Sequence, residues 1–251
     1  MDIRLADISE YQDIDAGAYL RGGHTCLIVR AHNGNRPDYK WPARRDYLRG
    51  FKFDALGWYQ YLVDEVTSVA QARAFIATVG PIRDNEFVIV DSEEGAGDQT
   101  DRIQAWVDIV DPHYGQPSTL YASESWFNDK LGGAARWRRP RWVAAYRSTE
   151  PTLPHELWQY TDRSGLPGIS GEGGDGNLFH GTAQEFAKTF CGASTPRPEL
   201  PADVHALDVG TMPDGRQEIF VQLKSGEIQH RWNAKDGGWV EGWHSLGTPG
   251  R

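Results

Sequence analysis

Two cysteines in 251 residues are too few for a disulfide framework. Cys26 and Cys191 lie far apart and follow no metal or redox spacing. Cys26, beside Leu27, Ile28 and Val29, reads as a buried thiol. Long apolar runs are missing too. No stretch approaches the length that crosses a bilayer, and the opening MDIRLADISEYQ holds no apolar core of a signal peptide. The expectation is synthesis in a cytoplasm without an ordinary secretion signal, and no membrane partner. Positive charge is in deficit: 26 Lys and Arg face 35 Asp and Glu, the net charge is −9, and no basic cluster stands out. That excludes a nucleic-acid groove.

Common cofactor and nucleophile signatures are absent as well. The eight histidines form no HExxH or other ligand-like pairing, so no metal is expected. There is no P-loop, and Ser170 lacks the G-x-S-x-G elbow of a serine hydrolase. Gly171, Gly173 and Gly176 satisfy G-x-G-x-x-G, but late in the chain after a loop rather than between a first strand and its helix. The match is fortuitous, and no cofactor is expected.

What the chain does hold is 10 Trp, 28 Gly, 14 Pro and an alternation of strand and helix patterns. Tryptophan at this density often lines carbohydrate sites, since sugar C–H faces stack on rings, but more often it is simply core. CLIVRA (26–31), GWYQYL (57–62), FVIVD (87–91), STLYAS (118–123) and RWVAAY (141–146) read as strands. Residues 67–80 and 100–110 read as helices; in the second, Ile103, Trp106, Val107 and Val110 share one face. Thr182 and Glu185 form a capping box for a last helix that buries Phe186 and Phe190. This alternation predicts an α/β barrel or a doubly wound sheet over residues 1–193. A linker follows at 194–202, with prolines at 196, 198 and 201, and then a C-terminal part at 203–251.

In either α/β architecture the chemistry sits at the C-terminal ends of the strands. Asp7 follows the first strand, IRLAD, and the acids of FVIVDSEEG (87–95) follow an apolar one. Continued strand alternation would send Asp91 and Glu93 to one face, about 6–7 Å apart along the backbone, and Glu94 to the other. Two carboxylates that close repel, which raises the pKa of one and favours a neutral Glu93 able to donate a proton. An acidic, aromatic site without cofactor suits glycosidic cleavage. Neighbours on one strand cannot easily flank both faces of a sugar ring. A substrate whose own 2-acetamido oxygen attacks, with Asp91 orienting that group, removes the difficulty.

Seven motifs in order resemble family 25 glycoside hydrolases, the Chalaropsis-type lysozymes common as bacteriophage endolysins: ADIS (6–9), GWYQYL, VIVDSEEG (88–95), LYAS (120–123), RWVAAY, LWQYT (157–161) and GDGNLFHGT (174–182). The resemblance spans roughly residues 3–190. It implies an irregular (β/α) TIM-like barrel with fewer helices than the eightfold form. It also implies N-acetylmuramidase action on the β-1,4 bond of peptidoglycan from N-acetylmuramic acid to N-acetylglucosamine. By matching position, Glu93 is the proton donor, Asp91 its partner, and Asp7 and Asp175 the further acids of the rim. Tyr59 and Tyr121 line the groove, with Trp142, Tyr146 and Trp158 as aromatics at strand ends. The family context implies action on the cell wall after release at lysis. Gln60 stands where the family often has His, and RAHNG (30–34) replaces a more usual KATEG, so Asn33 lacks a carboxylate. These departures bear on fine substrate preference. A hydrolase of another N-acetylhexosamine polymer such as chitin is an alternative. So is a lectin-like protein whose barrel has lost activity, against which the intact Asp91–Glu93 pair speaks.

After the linker, Asp214-Gly215 and Ser225-Gly226 are turn signals at hairpin spacing, and about four short strands are expected. The pattern resembles one blade of tectonin-like or fucolectin-like β-propellers, which bind sugars. Trp232, Trp239 and Trp243, with Ile219, Val221 and Ile228, supply apolar residues to both faces. A lone blade cannot close a ring, so either it packs on the barrel as a small β-extension or several chains each contribute a blade; the expectation is a cell-wall-binding homo-oligomer held through residues 203–247.

Overall fold

Along Cys26–Asn33 the side chains of Cys26 and Ile28 enter one apolar cluster, and those of Leu27, Val29 and Ala31 enter another. A strand buried on both faces in this way belongs in the middle of a layered α/β structure. The computed structural model describes residues 2–171, 173–192, 201, 203–211, 217–232, 240 and 242–249. They fall into two units, Met1–Gly192 and Ala193–Arg251.

Eight strands form the barrel of the first unit: β1 (Ile3–Ile8), β2 (Cys26–Asn33), β3 (Ala55–Tyr61), β4 (Glu86–Asp91), β5 (Thr119–Ser123), β6 (Arg141–Ala144), β7 (Leu157–Thr161) and β8 (Asp175–Phe179). β1 to β7 run parallel in sequence order. β8 lies antiparallel to both β7 and β1 and closes the ring. This is the expected TIM-like barrel, with one strand reversed. Five helices join the first six strands: α1 (Ala16–Arg21), α2 (Trp41–Leu48), α3 (Ser68–Val79), α4 (Thr100–Tyr114) and α5 (Glu124–Lys130). Between β6 and β8 no α-helix occurs among the described residues, which makes the barrel irregular.

The outward strand residues pack under the helices; on α4, Ile103, Trp106, Val107 and Val110 are buried as their spacing predicts. The inward residues fill the interior, where Gly57 leaves the room its neighbours occupy. A Cβ there would lie 2.6 Å from the Phe87 ring and 3.0 Å from Ile28 and Ile89. A sixth helix, α6 (Ala183–Phe190), starts from the Thr182–Glu185 capping box and seals one end of the barrel. Its Phe186 and Phe190 join Phe87 and Phe179, with ring centroids 4.4–5.9 Å apart.

The second unit is a four-stranded antiparallel sheet in sequence order: β9 (Val204–Thr211), β10 (Gln217–Leu223), β11 (Ile228–Trp232) and β12 (His244–Gly247). Gly226, at φ +88°, makes the tight turn between β10 and β11. Ile219, Val221 and Leu223 are buried together, with Trp243 packed against them. Asp214–Gly215, Trp239 and the linker prolines 196 and 198 lie outside the described residues. No helix among the described residues is long and apolar enough to cross a membrane.

Candidate active site

The reversal of β8 sets the site. In a strand parallel to the rest, Asp175 would enter at the sealed end; running backwards, it starts β8 beside the end of β1, in register with Asp7. Asp91 ends β4 on the same rim, next to Tyr61 of β3 and Tyr121 of β5. Asp7, Asp91, Glu93 and Asp175 therefore gather at one mouth, as the sequence predicts.

Glu93 arrives there differently from the expectation. β4 stops at Asp91, so strand alternation no longer governs Ser92–Gly95. The loop turns Glu93 back so that its carboxyl hydrogen-bonds with that of Asp91 and reaches the Tyr121 hydroxyl, although the residue as a whole is exposed. Glu94 is also at the mouth, accepting from the Tyr61 hydroxyl at 2.9 Å. Burial, then the charge of Glu93 and their mutual hydrogen bond, push the Asp91 carboxyl well above the usual range. Burial raises Glu93 as well, while the same hydrogen bond and Tyr121 oppose the rise. Burial and mutual repulsion thus favour one proton shared between the two carboxyls in the free site.

The second acid pair is wired through two amides. Asn177 Nδ2 donates to Asp7 Oδ2 at 2.7 Å, and Gln159 Nε2 donates to Asp7 Oδ2 and to Asp175 Oδ2, each at 3.0 Å. On its other side Gln159 Oε1 accepts from Tyr121 (2.7 Å) and Tyr146 (3.0 Å). Both N–H bonds and both lone pairs of this amide are used, which fixes its orientation. Burial and the neighbouring Asp175 charge outweigh the two donors on Asp7 and push its carboxyl up to about 8. Burial and Asp162 push Asp175 up to about 6.

The aromatic residues divide. Tyr59, Tyr121 and Trp142 line the interior just below the acids, the Trp142 ring 4.3 Å from Tyr121 and 6.4 Å from Tyr59. Trp142 Nε1 donates to Asn177 Oδ1 at 2.7 Å. Tyr146 stands at the rim as an exposed residue, its hydroxyl turned in to Gln159. Trp158 does not join them. Leu157 and Gln159 point inward, so alternation turns Trp158 to the outer wall, where its indole donates to the Ala145 carbonyl at 2.9 Å. Gln60 likewise sits in the wall, fully buried, accepting from Trp106 Nε1 at 2.8 Å and facing His32. Its departure from the family pattern therefore concerns packing rather than substrate contact.

Sequence reasoning missed Gln159, Asn177, Arg30 and Tyr61. Arg30 projects from β2 into the interior near Asp91 and Tyr59, its Nε donating to Asp38 at 3.1 Å and its Nη2 lying 3.0 Å from Glu10. The available signal was a charged or amide residue breaking an apolar strand, which needs a buried partner.

Comparison with known proteins now adds to this geometry. Curated proteins give no significant match. Among solved structures, a family 25 glycosyl hydrolase from Bacillus anthracis is 21% identical, with a TM-score of 0.67 over 75% of this chain and 93% of its own. A muramidase from Trichobolus zukalii is 20% identical, with a TM-score of 0.66 over 76% and 99%. The catalytic domain of endolysin ply40, from bacteriophage P40 of Listeria monocytogenes, is 22% identical, with a TM-score of 0.62 over 75% and 98%. At these identities the likeness concerns the fold. The family assignment comes from the sequence profile of glycosyl hydrolases family 25, which matches residues 6–169, more than half of the chain. That span runs from the start of the acid-bearing motifs through β7, and on its strength the chain belongs to glycosyl hydrolases family 25 and is a glycoside hydrolase.

Proposed function

We propose that the protein is an N-acetylmuramidase, a lysozyme that hydrolyses the β-1,4 bond between N-acetylmuramic acid and N-acetylglucosamine in peptidoglycan. The observation that carries this reading is the hydrogen-bonded Asp91–Glu93 pair, which keeps a proton at the mouth because burial and mutual repulsion disfavour two charges. Glu93, on the outer side of the pair, delivers the proton to the leaving glycosidic oxygen. Bound sugar excludes water from Glu93 and favours its neutral form, so the shared proton sits on Glu93 in the complex. Asp91, now charged, accepts from the substrate's acetamido N–H. The acetamido oxygen attacks the anomeric carbon as the C–O bond breaks. Glu93, left as a carboxylate, then takes a proton from the water that opens the cyclic intermediate. Tyr59 and Tyr121 bound the sugar from below, and Asp7 and Asp175 with Gln159 hold the rim. Solved neighbours described as a muramidase and as an endolysin support the reading.

Digestion of purified peptidoglycan followed by borohydride reduction and mass spectrometry tests it. Reduced N-acetylmuramic acid at the new ends is expected. Reduced N-acetylglucosamine would make the enzyme a glucosaminidase, and free peptide stems without new reducing ends would point to an amidase or peptidase. We infer deployment as a phage endolysin that meets the wall after membrane damage at lysis. Cells expressing the protein should then lyse only once their membrane is permeabilised; lysis of intact cells would overturn that role.

For the second unit, the inference is a propeller-blade-like wall-binding module that also associates copies through residues 203–247. Ile219, Val221 and Leu223 form its described buried cluster, and a unit of this size is marginally stable alone. Light scattering should give an oligomer for the full chain and a monomer for a chain ending at Gly192. A monomeric full chain overturns the association.

A further inference from the structure

Among the described residues, the aromatic residues most open to solvent are Tyr39 at 77%, Tyr11 at 59% and Tyr146 at 56%. All three leave the barrel at the mouth. Tyr11 follows β1, Tyr39 follows β2, and Tyr146 follows β6. Around the ring of strands, β1 and β2 lie nearly opposite β6, so the acids stand between Tyr146 on one side and the Tyr11–Tyr39 pair on the other.

Tyr11 and Tyr39 are not loose surface rings. Glu10 accepts from both Nη atoms of Arg36, at 2.8 and 3.0 Å, and from the Tyr39 backbone N–H at 3.2 Å, while pairing with Arg30 at 3.0 Å. The Arg36 guanidinium then covers the Tyr39 ring at 3.9 Å, and that of Arg30 lies 5.5 Å from the Tyr11 ring. Arg44 donates to the Ser9 carbonyl at 2.7 Å and Lys40 to that of Gln12 at 3.0 Å, so the loop after β1 is stapled to the segment after β2. A solvent-exposed ring with a guanidinium on one side is held rigid without being buried, and the rest of it stays open. Arg30 joins this ledge to the acids. Its side chain is nine-tenths buried, its Nη2 makes no aligned hydrogen bond, and its charge acts on both Asp91 and Tyr59.

Taking the muramidase reading of the acids as given, we propose that Tyr11 and Tyr39 form a stacking ledge for a sugar of the glycan strand beyond the two that lie on either side of the bond that is cut. Pyranose rings present flat C–H faces that an open tyrosine can cover. The ledge thus selects long strands over short fragments, and it acts on binding rather than on bond breaking.

The test compares the full chain with its Tyr11→Ala/Tyr39→Ala double variant on long glycan strands stripped of peptides and on a tetrasaccharide of the same repeat. Loss of two stacked rings should raise KM for the strands by about tenfold, with kcat unchanged and the tetrasaccharide unaffected. The Tyr11→Phe/Tyr39→Phe variant should behave as wild type, because stacking uses the ring and not the hydroxyl. Equal losses on both substrates, or no change on strands, would overturn the ledge. A second arm measures strand binding in a Glu93→Gln background, with and without the ledge tyrosines. It judges the ledge by affinity even if the wild type cuts nothing, an outcome that would refute the muramidase reading alone. Affinity unchanged by the double substitution would again overturn the proposal.

Discussion

The sealed end and the open mouth of the barrel are built from the same strands, often from residues only two apart. Leu5 precedes Asp7, Ile28 precedes Arg30, Gly57 precedes Tyr59, Ile89 precedes Asp91 and Leu157 precedes Gln159, each pair inward-facing. At the sealed end these positions are apolar and close on the Phe179, Phe186 and Phe190 cluster. At the mouth they are polar and answer one another through hydrogen bonds. Burial acts with opposite sign in the two places. It stabilises the floor by removing apolar surface from water and costs free energy at the mouth, where it forces carboxyls to keep their protons. Stability and chemistry thus occupy opposite ends of one sheet.

The sharpest way to break this division is at the mouth. Glu93→Gln should lower turnover by about two to four orders of magnitude while leaving the melting temperature at or above that of wild type. Near-normal activity would move the donor role to Glu94. At the floor the effects should reverse. Phe186→Ala removes a fully buried ring and should cost about 3–5 kcal/mol in denaturant unfolding, with turnover per folded molecule unchanged.

A finer test uses pH. Asp7 titrates at about 8 in the native barrel against an ordinary 3.8, and Asp175 at about 6. Between those limits the native state holds protons that the unfolded chain has released. Their contribution is therefore most favourable at the acid end and falls as pH rises, through about 6 for Asp175 and about 8 for Asp7, with no further loss above. Asp7→Asn should be more stable than wild type at about pH 8 and should converge with it towards about pH 4, since the amide has no proton to lose. Melting curves across that range check this, and parallel curves would remove Asp7 as the cause. The smallest effect belongs to the outer wall. Trp158→Phe should change KM and kcat less than twofold, and a large KM increase would mean that the ring reaches substrate after all.

These contrasts also explain what could be read from the sequence. Motif order and the placing of acids after apolar runs identified the barrel and four acids at its mouth, because strand ends are local features. The position of Glu93 came out right for the wrong reason. Alternation was extended past Asp91, where the strand has already ended and a loop makes the turn. The resemblance places Trp158 among the aromatics at strand ends, whereas its neighbours Leu157 and Gln159 fix its phase. Gln159 itself escaped notice because an amide suggests no chemistry until its partners, Asp7, Asp175, Tyr121 and Tyr146, are brought round it by strands distant in sequence. The reversal of β8 has no local signature, since nothing within GDGNLF tells its direction.

That reversal ties catalysis to the last act of folding. Asp7 and Asn177 are 170 residues apart in the chain, yet they share a hydrogen bond at the seam where the ring shuts. Every earlier strand can pair with its sequence neighbour as it emerges, but the seam must wait for β8, and a pairing this remote is slow to find. Until it forms, Asp7 has neither its Asn177 donor nor its register with Asp175, and α6 has no floor to seal. Recovery of activity on refolding should coincide with the slowest structural phase.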